Sequence, residues 1–120
     1  MELQLFGINH KTSDVSEREK FIINDLNQEY LNKHLKKKFG DKLESFFGLS
    51  TCNRTEIYLT GEKDIAKHIL NESKLFLETE GIPDSSFYFL SKQDAMVHMS
   101  KVASGIDSQI LGEQEILGQF

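Results

Sequence analysis

Residues 43–60 read LESFFGLS-TCNR-TEIYLT, and this stretch decides how the rest of the chain is arranged. Aromatic and apolar side chains fill its two ends, over 43–50 and 55–60, as is typical of strands. The segment between them, Thr51-Cys52-Asn53-Arg54, is short and polar. The stretch therefore predicts two strands joined as a hairpin.

The residues before this hairpin predict one strand and one helix. A short apolar run at 3–8 is predicted to be a strand. Apolar residues at helical spacing predict a helix over 16–38. Ser16 and Glu19 form a capping box at its start, and Gly40 is placed to end it.

The residues after the hairpin repeat this alternation. Asp64 is placed to cap a second helix, which closes at 81–84, and 86–90 is predicted to be a strand. A third helix follows, with Ser91–Asp94 as a capping box and an end at Gly105. The order β-α-β-β-α-β plus a helix predicts an α+β fold. We expect a ferredoxin-like antiparallel sheet with helices on one face, plus a C-terminal helix.

Length and composition favour one soluble domain over 1–120. No stretch approaches the roughly 20 apolar residues of a membrane helix, and the first residues lack the features of a signal peptide. We therefore expect a cytoplasmic protein with no membrane partner.

The formal net charge of -5 argues against strong non-specific nucleic-acid binding, which depends on released counterions. The run Lys33–Lys38 is a local exception. It is either a solvated helix end, where cations favour the negative pole of the dipole, or a small patch that contacts phosphates.

Cys52 is the single cysteine, so an intramolecular disulfide and a paired-cysteine metal or redox site are excluded. It is either a buried small hydrophobe or a reactive thiol. Its neighbours are polar, and a nearby guanidinium favours the nucleophilic thiolate. Arg54 either tunes this thiol, holds a substrate carboxylate, or pairs at the surface with Glu56. On an extended segment, residues 52, 54 and 56 share one face.

His98 lies among apolar residues of the third predicted helix. It is either a histidine at the edge of the core or a proton carrier facing Cys52. The small residues and glycines of 103–109 and 112–115 allow close backbone approach to a ligand, although they also suit a helix end and a turn. No glycine-rich dinucleotide motif and no P-loop is present, so any hydride donor would have to bind elsewhere.

Five blocks of the chain resemble blocks of the glutamyl-tRNA reductase family. They occur in the same order as in the family and span nearly the whole chain. The block that contains Cys52 is the most specific of them. The blocks are 7–12 (GINHKT), 18–20 (REK), 49–58 (LSTCNRTEIY), 102–108 (VASGIDS) and 110–119 (ILGEQEILGQ).

The resemblance implies a reaction and assigns residues to it. Members reduce glutamyl-tRNA to glutamate-1-semialdehyde with NADPH, at the start of five-carbon tetrapyrrole (5-aminolevulinate, porphyrin) biosynthesis. Cys52 matches the nucleophile that forms a thioester, His98 a histidine important for activity, and Arg54 the residue that recognises the glutamate carboxylate. Positions matched to the substrate pocket are Thr51, Asn53, Glu56, Ser108, Glu113, Gln114, Glu115 and Gln119.

The chain also departs from the family pattern. Residues 112–115 read Gly-Glu-Gln-Glu where the family often has Gly-Glu-Pro-Gln or Gly-Glu-Asp-Gln, and Lys101 stands where an arginine is usual. A carboxylate at Glu115 thus replaces an amide near an anionic substrate, which puts its role in doubt.

The resemblance further implies that the chain is a front fragment. Full-length members add an NADPH-binding domain and a helical dimerisation domain, form homodimers, and pass product to glutamate-1-semialdehyde aminomutase. We expect this fragment to bind no NADPH and to perform only the acyl-transfer, or esterase, half of the reaction.

Two other classes of function stay open on the residues alone. One is a ferredoxin-like RNA-binding module without catalysis, which would use the Lys33–Lys38 run. The other is a redox-sensing thiol protein built on Cys52.

Overall fold

The computed structural model describes residues 1–104, which form four strands and four helices. No helix in this part of the chain is long and apolar enough to cross a membrane. The strands are β1 Glu2–Asn9, β2 Leu43–Ser50, β3 Arg54–Gly61 and β4 Tyr88–Ser91; the helices are α1 Val15–Lys20, α2 Asp25–Phe39, α3 Ala66–Phe76 and α4 Lys92–Ala103.

The strands form one antiparallel sheet in the order β2-β3-β1-β4. This order confirms the predicted ferredoxin-like α+β fold. The hairpin of β2 and β3 pairs Ser50 with Thr55, so the connection falls where the sequence predicted it. In the centre of the sheet, Gly7 of β1 pairs with Glu56 of β3 on one side and with Tyr88 of β4 on the other.

The single helix predicted over 16–38 is wrong, because the chain forms α1 and α2 instead. Asp14, rather than Ser16, caps α1, in a capping box with Glu17. Phe21 and Ile23 are buried between the helices, and the Ile23 amide donates to Ser50 Oγ at 2.8 Å. Burial of these side chains in the core therefore interrupts the single helix that their spacing in the sequence predicts.

The predicted cap at Asp64 is also wrong, and the predicted capping box at Ser91 lacks its side-chain hydrogen bond. Asp64 has a left-handed φ of 63° and lies before the N-cap of α3, which is Ile65. The first amide of α3, that of Ala66, donates to the buried side chain of Gln4 at 2.9 Å instead. Ser91 occupies the N-cap of α4 as predicted, but its hydroxyl accepts no helix amide in the described chain.

The two faces of the sheet are covered by different helices. Alternate residues of β1 divide between them, with Phe6 in the larger core beneath α2 and α3 and Leu5 in the smaller core beneath α4. The expectation of helices on one face thus holds for α2 and α3, while α4 covers the opposite face. Ala95 and Val102 are the buried residues of α4.

Candidate functional site

The face of the sheet beneath α4 carries a row of polar residues in its centre. Glu56 and Tyr88 lie on either side of Gly7, which contributes no side chain between them. A Cβ at this glycine would stand 2.7 Å from the Thr55 carbonyl oxygen and 2.8 Å from Glu56 Cγ. The glycine therefore leaves the space in which the carboxylate meets the tyrosine.

Glu56 is fully buried and accepts hydrogen bonds from three side chains. The Tyr58 hydroxyl donates to Oε1 at 2.6 Å. The Tyr88 hydroxyl donates to Oε2, and His98 Nε2 lies 2.5 Å from the same oxygen. Because Tyr58 stands two residues after Glu56 on β3, both side chains point to the same face of the sheet.

These contacts set the charge state of Glu56. Burial alone would raise the pKa of its carboxyl, but the hydrogen bonds from His98, Tyr58 and Tyr88 lower it, and the net pKa lies below the usual 4.5. Burial, together with the negative charge of Glu56, raises the pKa of both tyrosines. Glu56 is thus ionised at neutral pH beside two neutral phenols.

The ionised carboxylate decides which nitrogen of His98 carries a proton. A carboxylate accepts hydrogen bonds and donates none, so Nε2 must be the donor. In the neutral imidazole, Nδ1 is then the nitrogen with the free lone pair. His98 keeps 20% of its side chain exposed, so it lies at the border between core and solvent.

Arg54 is buried, with 6% of its surface exposed, so the interpretation as a surface arginine is wrong. Its Nη1 lies 4.0 Å from Glu56 Oε2, which brings the predicted cation and carboxylate to one face of β3. Its Nε has no hydrogen-bond partner within residues 1–104. A buried donor left unpaired costs about 1–3 kcal/mol, so an acceptor that reached this atom would be stabilised.

Cys52 is exposed at the tip of the hairpin, which excludes the buried-hydrophobe interpretation. The Thr51 amide donates to the Arg54 carbonyl at 2.7 Å, and the Asn53 amide donates to Thr51 Oγ1 at 3.2 Å. The His10 amide donates to the Asn53 carbonyl at 3.1 Å, which ties the turn to the loop after β1. The thiol is therefore accessible on a turn that is itself held in place.

The structure brings Arg54, Glu56 and His98 together, and it places the Cys52 turn at the end of the same strand. No hydrogen bond joins Cys52 to His98 within the described residues. The sequence analysis missed Tyr58 and Tyr88. Spacing of two residues from Glu56 signals Tyr58, whereas nothing local signals Tyr88, because its contact depends on the strand order.

The run Lys33–Lys38 is largely engaged within the chain. Lys33 pairs with Glu29 at 3.6 Å, and Lys38 pairs with Glu72 at 2.6 Å. Lys36 Nζ donates to the carbonyl oxygen of Leu43 at 3.3 Å. These contacts favour the interpretation as a solvated helix end over a phosphate-binding patch.

Five predicted pocket residues lie outside residues 1–104, which the structure describes. They are Ser108, Glu113, Gln114, Glu115 and Gln119.

Comparisons with known proteins agree on one family. The family model described as "Glutamyl-tRNAGlu reductase, N-terminal domain" matches residues 6–120. A glutamyl-tRNA reductase of Marinobacter nauticus is 38% identical over 100% of this chain and 28% of its own length. One of Akkermansia muciniphila is 36% identical over 99% of this chain and 35% of its own length.

A solved structure shows the same likeness. The glutamyl-tRNA reductase from Methanopyrus kandleri superposes with a TM-score of 0.70 at 32% identity, over 98% of this chain and 26% of that one. The chain therefore spans about a third or less of the length of the relatives it matches.

Proposed function

Because the chain belongs to the glutamyl-tRNA reductase N-terminal-domain family, we propose that it takes the glutamyl group from glutamyl-tRNA as a thioester on Cys52. One observation carries this proposal. An exposed thiol sits on a fixed turn, two residues before a buried arginine whose Nε is unpartnered among residues 1–104. Nucleophilic attack on a glutamyl ester requires two groups, a thiol and a cation that binds the carboxylate.

The chemistry is an acyl transfer. The Cys52 thiolate attacks the ester carbonyl carbon, a carbon–sulfur bond forms, and the carbon–oxygen bond to the tRNA ribose breaks. The thiol proton passes to the leaving ribose oxygen, so that tRNA departs with a free hydroxyl. His98 is our candidate for the group that carries this proton, through Nδ1, the nitrogen that Glu56 does not engage.

Arg54 is our candidate for binding the side-chain carboxylate of the glutamyl group. Its planar guanidinium suits a carboxylate, and the arginine is held by burial. Thr51 and Asn53 border the thiol and would line the same pocket. Glu56 has no exposed surface, and protein groups bond to both of its oxygens. We therefore assign it a role through Arg54 and His98 rather than direct contact with substrate.

For the full-length protein we propose NADPH-dependent reduction of this thioester to glutamate-1-semialdehyde, in tetrapyrrole biosynthesis in the cytoplasm. A homodimer and transfer of product to an aminomutase belong to the same proposal. The described sheet is entirely antiparallel. It thus lacks the parallel βαβ unit whose helix N-terminus holds a dinucleotide pyrophosphate. We therefore place the NADPH site outside the described residues.

Without reduction, water would hydrolyse the thioester, so the chain should act as an esterase on glutamyl-tRNA. The test follows release of labelled glutamate from glutamyl-tRNA, with Cys52→Ser as the variant that removes the nucleophile. We expect release by the wild-type chain and none above background by the variant. Equal release by both would refute the proposed nucleophile, and aldehyde formed by this chain with NADPH alone would refute the division of labour.

Arg54→Lys tests recognition of the carboxylate in the same assay. It keeps the charge but removes the planar fork, so we expect a higher KM for glutamyl-tRNA with a smaller effect on kcat. An unchanged KM would remove Arg54 from the substrate pocket.

A further inference from the structure

We propose that Tyr58 and Tyr88 are positioning residues that hold Glu56 as the acceptor for His98 Nε2 and so fix which imidazole nitrogen is free. The bearing of this positioning on catalysis rests on the proposed role of His98. The contacts of Glu56 with Tyr58, Tyr88 and His98 do not depend on that role.

The two tyrosines donate hydrogen bonds to different oxygens of the Glu56 carboxylate. Tyr58 reaches Oε1 along β3 at 2.6 Å, and Tyr88 reaches Oε2 across the glycine of β1. Both hydroxyls come from the rigid sheet, whereas His98 comes from α4, which packs on top of it. Two of the three donors to the carboxylate therefore come from the sheet itself and do not depend on the helix that carries the imidazole.

Few of the described groups around Glu56 stabilise its negative charge, so the two tyrosine hydroxyls matter. β3 contributes Arg54 and Tyr58, β4 contributes Tyr88, and α4 contributes His98. The facing residues of β1 are uncharged, since Gly7 pairs with Glu56 and Asn9 lies beside the Tyr88 hydroxyl. Arg54 is at 4.0 Å, beyond hydrogen-bond distance, so among residues 1–104 the side chains that bond directly to the buried charge are Tyr58, Tyr88 and His98.

Removal of one hydroxyl should therefore weaken the ionised form. A buried carboxylate with fewer donors takes up a proton more readily. A protonated Glu56 can itself donate to Nε2, and the imidazole would then carry its proton on Nδ1. The nitrogen proposed to accept a proton would no longer be free.

The test is a nuclear magnetic resonance measurement of ¹⁵N-labelled histidine in the 120-residue chain. His98→Asn assigns the signals of His98 by their loss. We expect neutral His98 to have a protonated Nε2 and an unprotonated Nδ1 in the wild type. A protonated Nδ1 in the wild-type chain would overturn the proposal without any tyrosine variant.

The variants Tyr58→Phe and Tyr88→Phe keep each ring and remove only the hydroxyl. The third tyrosine of the chain, Tyr30, is exposed, and Tyr30→Phe is the matched control. We expect the two site variants to move the His98 nitrogen signals towards a mixture of forms and the control to leave them unchanged. Wild-type signals in the double variant Tyr58→Phe/Tyr88→Phe would overturn the proposal.

A kinetic readout separates this inference from the proposed function. General acid–base catalysis contributes roughly 10²–10⁴-fold, so partial loss of the correct imidazole should slow glutamate release by about tenfold or more in kcat, with little change in KM. If the signals move but the wild-type chain forms no thioester, the positioning role stands and the proposed function fails. If the signals move and thioester still forms in all variants at the wild-type rate, the bearing of this positioning on catalysis is refuted.

Discussion

Gly7→Ala should destabilise the fold through the centre of the candidate site. The added Cβ would lie 2.7 Å from the Thr55 carbonyl oxygen, 2.8 Å from Glu56 Cγ and 3.1 Å from Glu56 Cα. Two of these three atoms belong to the backbone of β3, which is paired on both sides and cannot move away alone. Overpacking of this kind costs about 1–3 kcal/mol, and we expect the upper half of that range.

The assay is equilibrium unfolding in urea, followed by circular dichroism. With about 1–3 kcal/mol per molar of urea as the slope, a loss of about 2–3 kcal/mol moves the midpoint by about 0.7–3 M. Gly81→Ala is the matched control, because a Cβ there meets no atom within 4 Å. A Gly7→Ala midpoint equal to that of Gly81→Ala would mean that the sheet accommodates the added Cβ without strain.

Three further predictions concern acid, a helix cap and the thiol. Because the pKa of Glu56 is lower in the folded chain than its usual 4.5, its stabilisation is complete above about pH 4.5 and is lost as pH falls through the folded value. Glu56→Gln should flatten this part of the urea-midpoint profile, and an unchanged profile would contradict the assignment. Asn24→Ala removes the capping box of α2 and should cost about 1 kcal/mol in the same assay, unlike Asn71→Ala within α3. Iodoacetamide should label exposed Cys52 fully in the folded chain, and labelling that requires urea would contradict its exposure.

Local sequence was enough for the hairpin and for the β-α-β-β-α-β order that predicted a ferredoxin-like sheet. The aromatic runs of β2 and β3 flank a polar turn, and that pattern predicts two strands joined as a hairpin. The polar neighbours of Cys52 favoured a position outside the core, and the thiol is exposed. Its role as the nucleophile stays a prediction.

Features that depend on contacts distant in sequence were not predictable. Phe21 and Ile23 fit a helical spacing, yet burial in the core places them between two helices. The start of α3 is capped by Gln4, which lies 62 residues before the amide it binds. Tyr88 reaches Glu56 only because β4 lies beside β1, so no pattern along the chain predicts this contact.

Intact mass spectrometry can show whether Cys52 accepts the glutamyl group. The chain would be incubated briefly with glutamyl-tRNA, quenched in acid and weighed beside Cys52→Ser. We expect a glutamyl adduct on the wild-type chain that is absent from the variant and is released by hydroxylamine, as a thioester should be. A folded chain with a free thiol and no adduct, or an adduct that persists in Cys52→Ser, would contradict the claim.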